Sequence, residues 1–293
     1  MIDFTNLPIK KKTYAGANGS KICVVYEDEP YMLKFPGFAL RNKELSYANG
    51  CISEYIGCHI FASVGIDVQK TLLGVYKKNS QEKIVVACKD FTRPGVVLQD
   101  FASLKNTIID SAHNGYGTEL EDIENTILWQ TAIPSEKLLP WFWDMFIVDA
   151  LIGNWDRHNG NWGFLYDTLT DEMQIAPIFD CGSCLFPQAD ESIMREVLMN
   201  KDALNFRIFE IPLSGIRQNN TKINYFDFIS SLNNKNCNDA LLRIVPRINM
   251  AEIYHIIDTT PLITELQSKF YKTILAARKE KILDFSFHKL QQK

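Results

Sequence analysis

Between Gly153 and Gly163 the chain reads Gly-Asn-Trp-Asp-Arg-His-Asn-Gly-Asn-Trp-Gly, the densest run of chemically capable side chains in its 293 residues. Asp156 offers a carboxylate, His158 an imidazole, and Asn161 an amide oxygen five positions after the carboxylate. Gly153 and Gly160 allow the backbone turns that such a loop needs. Downstream, a run over residues 162–166 and another over 173–179 flank the polar segment Asp167–Glu172 and read as a hairpin. With its turn centred near Thr168–Thr170, residue 161 falls opposite residue 178 or close to it. Asn161 entering the first strand and Asp180 leaving the second then share one open end, with Asp156 just upstream. An amide and carboxylates meeting there make an oxygen-rich site of the kind Mg²⁺ takes, completed by phosphate oxygens and water. Any one of these residues alone reads equally well as a turn former. Their convergence at one end of one hairpin is what points to a site.

The elements that must hold this loop follow from periodicity. Residues 138–151 are strongly apolar, with Pro140 suited to a first helical turn and Gly153 to the helix end. Upstream, Lys21–Tyr26 and Tyr31–Phe35 are short β-rich runs around a turn at Glu27–Pro30. Ile52, Ile56 and Ile60 recur every four residues and mark a helix, stopped at Gly65. Thr71–Lys77 and Lys83–Cys88 form a further strand pair around Lys78–Gln81. The expected outline is α+β, a small β-rich N-terminal lobe with one helix over residues 1–90 and a larger, mainly helical lobe over 91–293. The last hundred residues carry helical patterns, among them Ala240–Ile244 and Ile263–Leu283.

Composition narrows the function classes. Hydrophobic residues make up 46% of the chain, enough for a substantial core, and the formal charge is −4. An acidic balance argues against a direct nucleic-acid footprint. No stretch reaches the roughly 18 apolar residues of a membrane span, and the N-terminus lacks the charged and apolar regions of a secretory signal. The expectation is a cytoplasmic protein. Seven scattered cysteines do not form a disulfide framework. Cys181-Gly-Ser-Cys184 has no second pair or histidine set to complete a zinc site, so it reads as packing.

The two polar runs, Asn154-x-Asp156-x-His158-x-x-Asn161 and Ile178-Phe179-Asp180-Cys181-Gly182-Ser183, resemble the catalytic-loop and metal-loop signatures of HipA-like serine/threonine kinases. The likeness extends from about residue 15 through Tyr31–Phe35, Ser53-Glu54-Tyr55 and Val86–Phe91, and is strongest to short stand-alone kinases of the CtkA type. It implies a two-lobed protein-kinase-like fold that uses ATP and Mg²⁺. By the same resemblance Asp156 is the catalytic base and Asn161 and Asp180 are the Mg²⁺ ligands, in the D-x-x-x-x-N interval and D-F-G position of protein kinases. Lys34 would reach the ATP phosphates, with Glu54 as its carboxylate partner and Glu44 as the alternative. His158, grouped with Asp156 and Lys34, would brace the loop by hydrogen bonds. Gly16, Gly19 and Ser20 precede the first hairpin and would cover the phosphates with backbone N–H groups, although they depart from G-x-G-x-x-G. Ser20 is a candidate autophosphorylation site. Lys89 and Phe91 fall at the family's hinge, where backbone groups pair with the adenine edge, while Thr92 departs from the usual acidic residue. No A-P-E motif is present. The resemblance further implies a protein substrate with a serine or threonine acceptor, the chain itself included. It also implies a toxin–antitoxin setting, with a small antitoxin-like partner or one supplying the N-terminal module of longer HipA proteins.

Two rivals remain at this level. A metal-dependent phosphoesterase would suit Asp156-x-His158, but its dinuclear site needs several flanking histidines, and the other four lack ligand context. A nucleotide-binding module without transfer would share the fold while dispensing with the base or a metal ligand.

Overall fold

The computed structural model describes residues 1–14, 21–37, 48–78, 81–109 and 114–292. The N-terminal part is a six-stranded sheet with one long helix laid across it. Its strands are β1 (Ile2–Asp3), β2 (Ile9–Lys10), β3 (Lys21–Tyr26), β4 (Glu29–Lys34), β5 (Thr71–Lys78) and β6 (Gln81–Lys89), in the order β1-β5-β6-β4-β3-β2. Only the β1–β5 contact is parallel. The β3–β4 turn is tighter than the expected Glu27–Pro30: Glu27 and Asp28 alone make it, at φ 50° and 61°. Positive φ at both central residues matches the strand twist, and Pro30 becomes part of β4.

Helix α1 (Gly50–Ser63) contains the expected Ile52, Ile56 and Ile60, all at most 2% exposed. It also buries Ser53, Glu54, Gly57 and Phe61, because it is covered on two sides. One side meets β5 and β6, and the other meets α4 (Ser135–Ile152) and α9 (Met250–Thr259). The main core therefore runs from Leu73, Val86 and Cys88 of the sheet through α1 into the helices. Phe4, Val24, Leu33, Val85 and Ala87 form a separate cluster on the sheet's other face.

After Lys89 comes a three-stranded antiparallel sheet, β7 (Val96–Asp100), β8 (Gly163–Asp167) and β9 (Glu172–Ile175), with α2 (Phe101–Ile108), α3 (Leu120–Trp129) and α4 inserted between β7 and β8. Phe164 pairs with Ile175, so the register extends to 161 opposite 178, as the turn position predicts. The second strand is shorter than expected. Ala176 N–H still reaches Gly163 O at 2.9 Å, but Pro177 has no N–H to continue the ladder. Ile178 instead bridges to Val68, its N–H on Asp67 O at 2.9 Å and its C=O accepting from Gln69 N–H at 2.8 Å. The segment leading to Asp180 is thus stitched to the loop that follows α1.

The remainder is α5 (Glu191–Met199), α6 (Lys201–Phe209), a β10 (Leu213–Gln218) and β11 (Thr221–Asn224) hairpin, α7 (Tyr225–Ser231), α8 (Lys235–Ile244), α9, α10 (Glu265–Arg278) and α11 (Phe285–Gln291). Sequence periodicity did not announce this hairpin. Helix α4 starts earlier than expected, at Ser135, so Pro140 lies inside it rather than in its first turn. Gly153 ends it at φ 64°, as the sequence suggests. Among the described residues no helix is long and apolar enough to cross a membrane.

Candidate active site

Three elements meet at one ammonium. Lys34, the last residue of β4, places Nζ 2.9 Å from Glu54 Oε2 of α1 and 2.9 Å from Asp180 Oδ1. Glu54 is buried, and its other oxygen accepts from Cys181 N–H at 3.1 Å. One carboxylate therefore ties the sheet's lysine to the backbone beside Asp180. The approach is close enough to require glycine. A Cβ on Gly57 would come within 2.9 Å of both Cys181 Cβ and Cys184 Sγ, and one on Gly182 would lie 3.0 Å from Glu54 Oε2.

The electrostatics follow from the geometry. Burial alone would push Asp180 up, but the charge and hydrogen bond of Lys34, with Lys21 and Arg157 behind them, bring it down to about 2. Burial alone would likewise lower Lys34, and the Asp180 and Glu54 charges overcome it, raising its pKa well above the ordinary lysine value. Asp180 sits at φ 57°, a left-handed conformation uncommon for a non-glycine residue. Lys21 stands directly opposite Lys34 across β3–β4 and feels the charges of Lys34, Asp180 and Glu54. It follows the Gly16–Ser20 run immediately, and the sequence reading passed it over.

The loop over 154–161 hangs from the end of α4. Asp149, buried in that helix, accepts from Arg157 Nε at 2.9 Å and Nη2 at 3.1 Å, and from Asn154 Nδ2 at 2.9 Å. Arg157 Nη1 also donates to Asn161 O at 2.9 Å and Phe179 O at 2.5 Å. Arg157 is thus paired with an acidic neighbour inside the protein. It clamps α4, the 154–161 loop and the segment before Asp180 together. Asn161 Nδ2 donates to Asp156 O at 2.8 Å, which commits the amide nitrogen and leaves Oδ1 as the outward acceptor. Asp156 is half-buried. Burial raises its pKa, as does Asp180, while His158, Lys222 and Arg157 pull the other way. His158 Nδ1 accepts from Gly160 N–H at 3.0 Å, a contact inside the loop.

At the hinge, Lys89 is still strand. Its N–H donates to Lys70 O at 2.8 Å and its C=O accepts from Gln69 Nε2 at 2.9 Å, while its ammonium meets Glu29. The Lys89 backbone is thus already engaged by the sheet. Asp90 C=O and Phe91 N–H, one and two residues on, are not so committed among the described residues. Phe91 packs on Phe179 with ring centroids 5.9 Å apart. The Asp90 carboxylate takes Lys12 at 2.5 Å, Tyr14 Oη at 2.8 Å and Thr92 N–H at 3.0 Å, so it fastens the segment over 12–14 to the end of β6. Gly16, Gly19, Ser20 and Glu44 lie outside the described residues.

Cys181 and Cys184 are buried free thiols. Cys184 donates to Ser53 O at 3.3 Å and Cys181 Sγ accepts from Arg157 at 3.5 Å, so the pair packs the turn under Asp180. Burial pushes the Cys184 thiol well up. Among the described residues no group of three or more His, Cys, Asp or Glu comes together as a metal cage, which leaves the phosphoesterase reading without its ligand set.

Comparison with known proteins gives the family and the fold. The model of the HipA-like C-terminal domain matches residues 11–260. Serine/threonine-protein kinase CtkA of Helicobacter pylori is 53% identical over 285 residues, covering 97% of this chain and 86% of the relative. The crystal structure of a Helicobacter pylori proinflammatory kinase CtkA superposes with a TM-score of 0.93 at 52% identity, over 99% of this chain and 98% of that one. HipA of Shewanella oneidensis, solved with HipB and operator DNA, reaches a TM-score of 0.59 at 15% identity over 97% of this chain and 68% of its own, a likeness of fold alone. The fold is the two-lobed kinase-like one, a small β-rich part and a larger helical part, and the chain belongs to the HipA-like family of serine/threonine kinases.

Proposed function

We propose that this kinase transfers the γ-phosphoryl group of ATP to a serine or threonine hydroxyl, with Asp156 as base and Lys34, Asn161 and Asp180 around the phosphates. The observation that carries the reading is the single Lys34 ammonium held 2.9 Å from both Glu54 and Asp180. A partly buried cation shared by two carboxylates from different elements is a ready phosphate anchor, fixed before substrate arrives. When the triphosphate binds, its oxygens compete for Lys34, and Lys21 opposite adds a second positive charge on the same face of the sheet.

The donor set suits Mg²⁺. Asn161 Oδ1 and the Asp180 carboxylate are hard oxygen donors, too few for an all-protein cage and appropriate for an ion that takes one or two protein ligands plus phosphates. Bound there, the ion would neutralise phosphate charge. Asp156 accepts the acceptor's proton as its oxygen bonds to the γ-phosphorus, while the bond to the β-phosphate oxygen breaks and ADP leaves. His158 keeps the loop in shape through Gly160, and Arg157 holds Asn161 and Phe179 in register. Asp90 C=O and Phe91 N–H present the acceptor and donor for the adenine edge, with the Phe91 ring beside it.

Kinetics with a serine peptide test this. Asp156→Asn should lower kcat by about 10²–10⁴-fold with ATP binding retained, whereas Lys34→Met should weaken ATP binding as well. Full turnover in Asp156→Asn would remove Asp156 from the role of base.

A further inference from the structure

The β10–β11 hairpin is fixed to the two segments that flank Asp156. Its turn is Asn219–Asn220, at φ 53° and 63°. Gly215 lies so close to the catalytic loop that a Cβ there would come within 2.9 Å of Arg157 N and 3.1 Å of its carbonyl carbon. Arg217 N–H donates to Thr118 O at 2.8 Å and Asn220 N–H to Glu119 Oε1 at 3.0 Å. Tyr225, the residue after β11, donates its hydroxyl to Asn154 O at 2.6 Å. The 114–119 segment is itself bound to the catalytic loop, since Asn159 Nδ2 donates to Gly115 O and Gly117 O at 2.7 and 2.8 Å. The hairpin is therefore a rigid wall beside the base.

On that wall Arg217 and Lys222 are paired directly opposite each other, and both are exposed. Directly opposed residues share a face, and like charges so placed repel, so the stability of the ribbon does not account for them. Among the described residues neither enters a side-chain ion pair; Arg217 Nη1 donates to Asn220 O at 2.8 Å. The Lys222 charge is felt at Asp156, together with those of His158, Arg157 and Asp180. Tyr116, 55% exposed, sets its ring 6.5 Å from that of His158. An extended acceptor advances about 3.3 Å per residue, so side chains two or three positions from the reacting hydroxyl lie roughly 7–10 Å from Asp156. That is within reach of long basic side chains on a neighbouring strand.

We infer that Arg217 and Lys222 form an acceptor-side subsite for carboxylates, so that the enzyme favours serine or threonine flanked by aspartate or glutamate. The inference rests on the kinase reading above and deepens it, naming the chemical class of the acceptor segment. Complementary charge on a rim of this kind sets partner choice more than raw affinity.

The test uses the full chain and three synthetic peptides that share one serine and differ only in flanking aspartates, alanines or lysines. For the wild type, kcat/KM should be higher for the aspartate peptide than for the lysine peptide by about tenfold, from attraction on one and repulsion on the other. Arg217→Glu/Lys222→Glu should reverse that order, and Lys222→Arg should keep it. A ratio between peptides is immune to partial loss of folded enzyme. An unchanged ratio in the double variant, or an equal fall for all three peptides through kcat, would overturn the subsite. The latter would place Lys222 on the phosphoryl group or on Asp156 instead. ATP binding by the wild type with no transfer to any peptide or to itself would contradict the kinase reading first, and the subsite with it.

Discussion

Asp156 and Asp180 are two carboxylates pushed in opposite directions by their surroundings. Asp180, held by Lys34, lies at about 2 and stays ionised across the working range. Asp156, the proposed base, is raised above its ordinary 3.8 chiefly by burial. A base must be unprotonated to act, so kcat should fall as pH drops through the raised Asp156 pKa, and that acidic limb should vanish from the residual rate of Asp156→Asn. A limb unmoved in the variant would belong to another group. Much of this was legible in the sequence, because Asp156, Asn161 and Asp180 are placed by spacing and a hairpin register. Lys21 was not. It emerges only when the turn is known to be Glu27–Asp28, which sets residue 21 opposite 34. Asp149 was equally hidden, one of three acids in a largely apolar helix, with its partner eight residues on.

At the scale of elements, the decisive contact is α1 against the turn that follows Asp180. The isoleucine spacing gave the helix but only one of its buried faces. The second face exists because Gly57 lets the helix lie on Cys181 and Cys184, a tertiary fact with no local signal. Gly57→Ala introduces contacts of 2.9 Å in a region with no slack, and should destabilise the protein by about 1–3 kcal/mol in chemical denaturation. Because Glu54 lies on the same helix, the variant should also weaken ATP binding. Wild-type stability and affinity in Gly57→Ala would mean that the helix has room to shift. The β10–β11 ribbon escaped sequence reading for a related reason. Its ladder is irregular between Leu213 and Arg217, so alternation is lost where it docks on Arg157.

Across the whole molecule, Arg157 is the central tie. It joins α4 through Asp149, the 154–161 loop through Asn161 and the segment before Asp180 through Phe179. Its value is best seen by removing it. Arg157→Met leaves Asp149 buried without its cation and should cost about 3–5 kcal/mol, with activity lost alongside. Asp149→Asn combined with Arg157→Met should recover part of that stability, since the orphaned charge is gone. A single variant as stable as the wild type would show that the pair is not desolvated as the structure describes. The α+β, two-lobed architecture was open to sequence reasoning because strands and helices segregate along the chain. The way the sheet meets the helices, through Gln69 on Ile178 and Lys34 on Asp180, required the folded structure.

The most direct measurement is transfer of labelled γ-phosphate from ATP with Mg²⁺ to protein, by the wild type beside Asp156→Ala and Asp180→Ala. Incorporation by the wild type, lost in both variants while Asp156→Ala still binds ATP, is the predicted result. Undiminished incorporation by Asp156→Ala, or no ATP binding by the wild type at all, would contradict it.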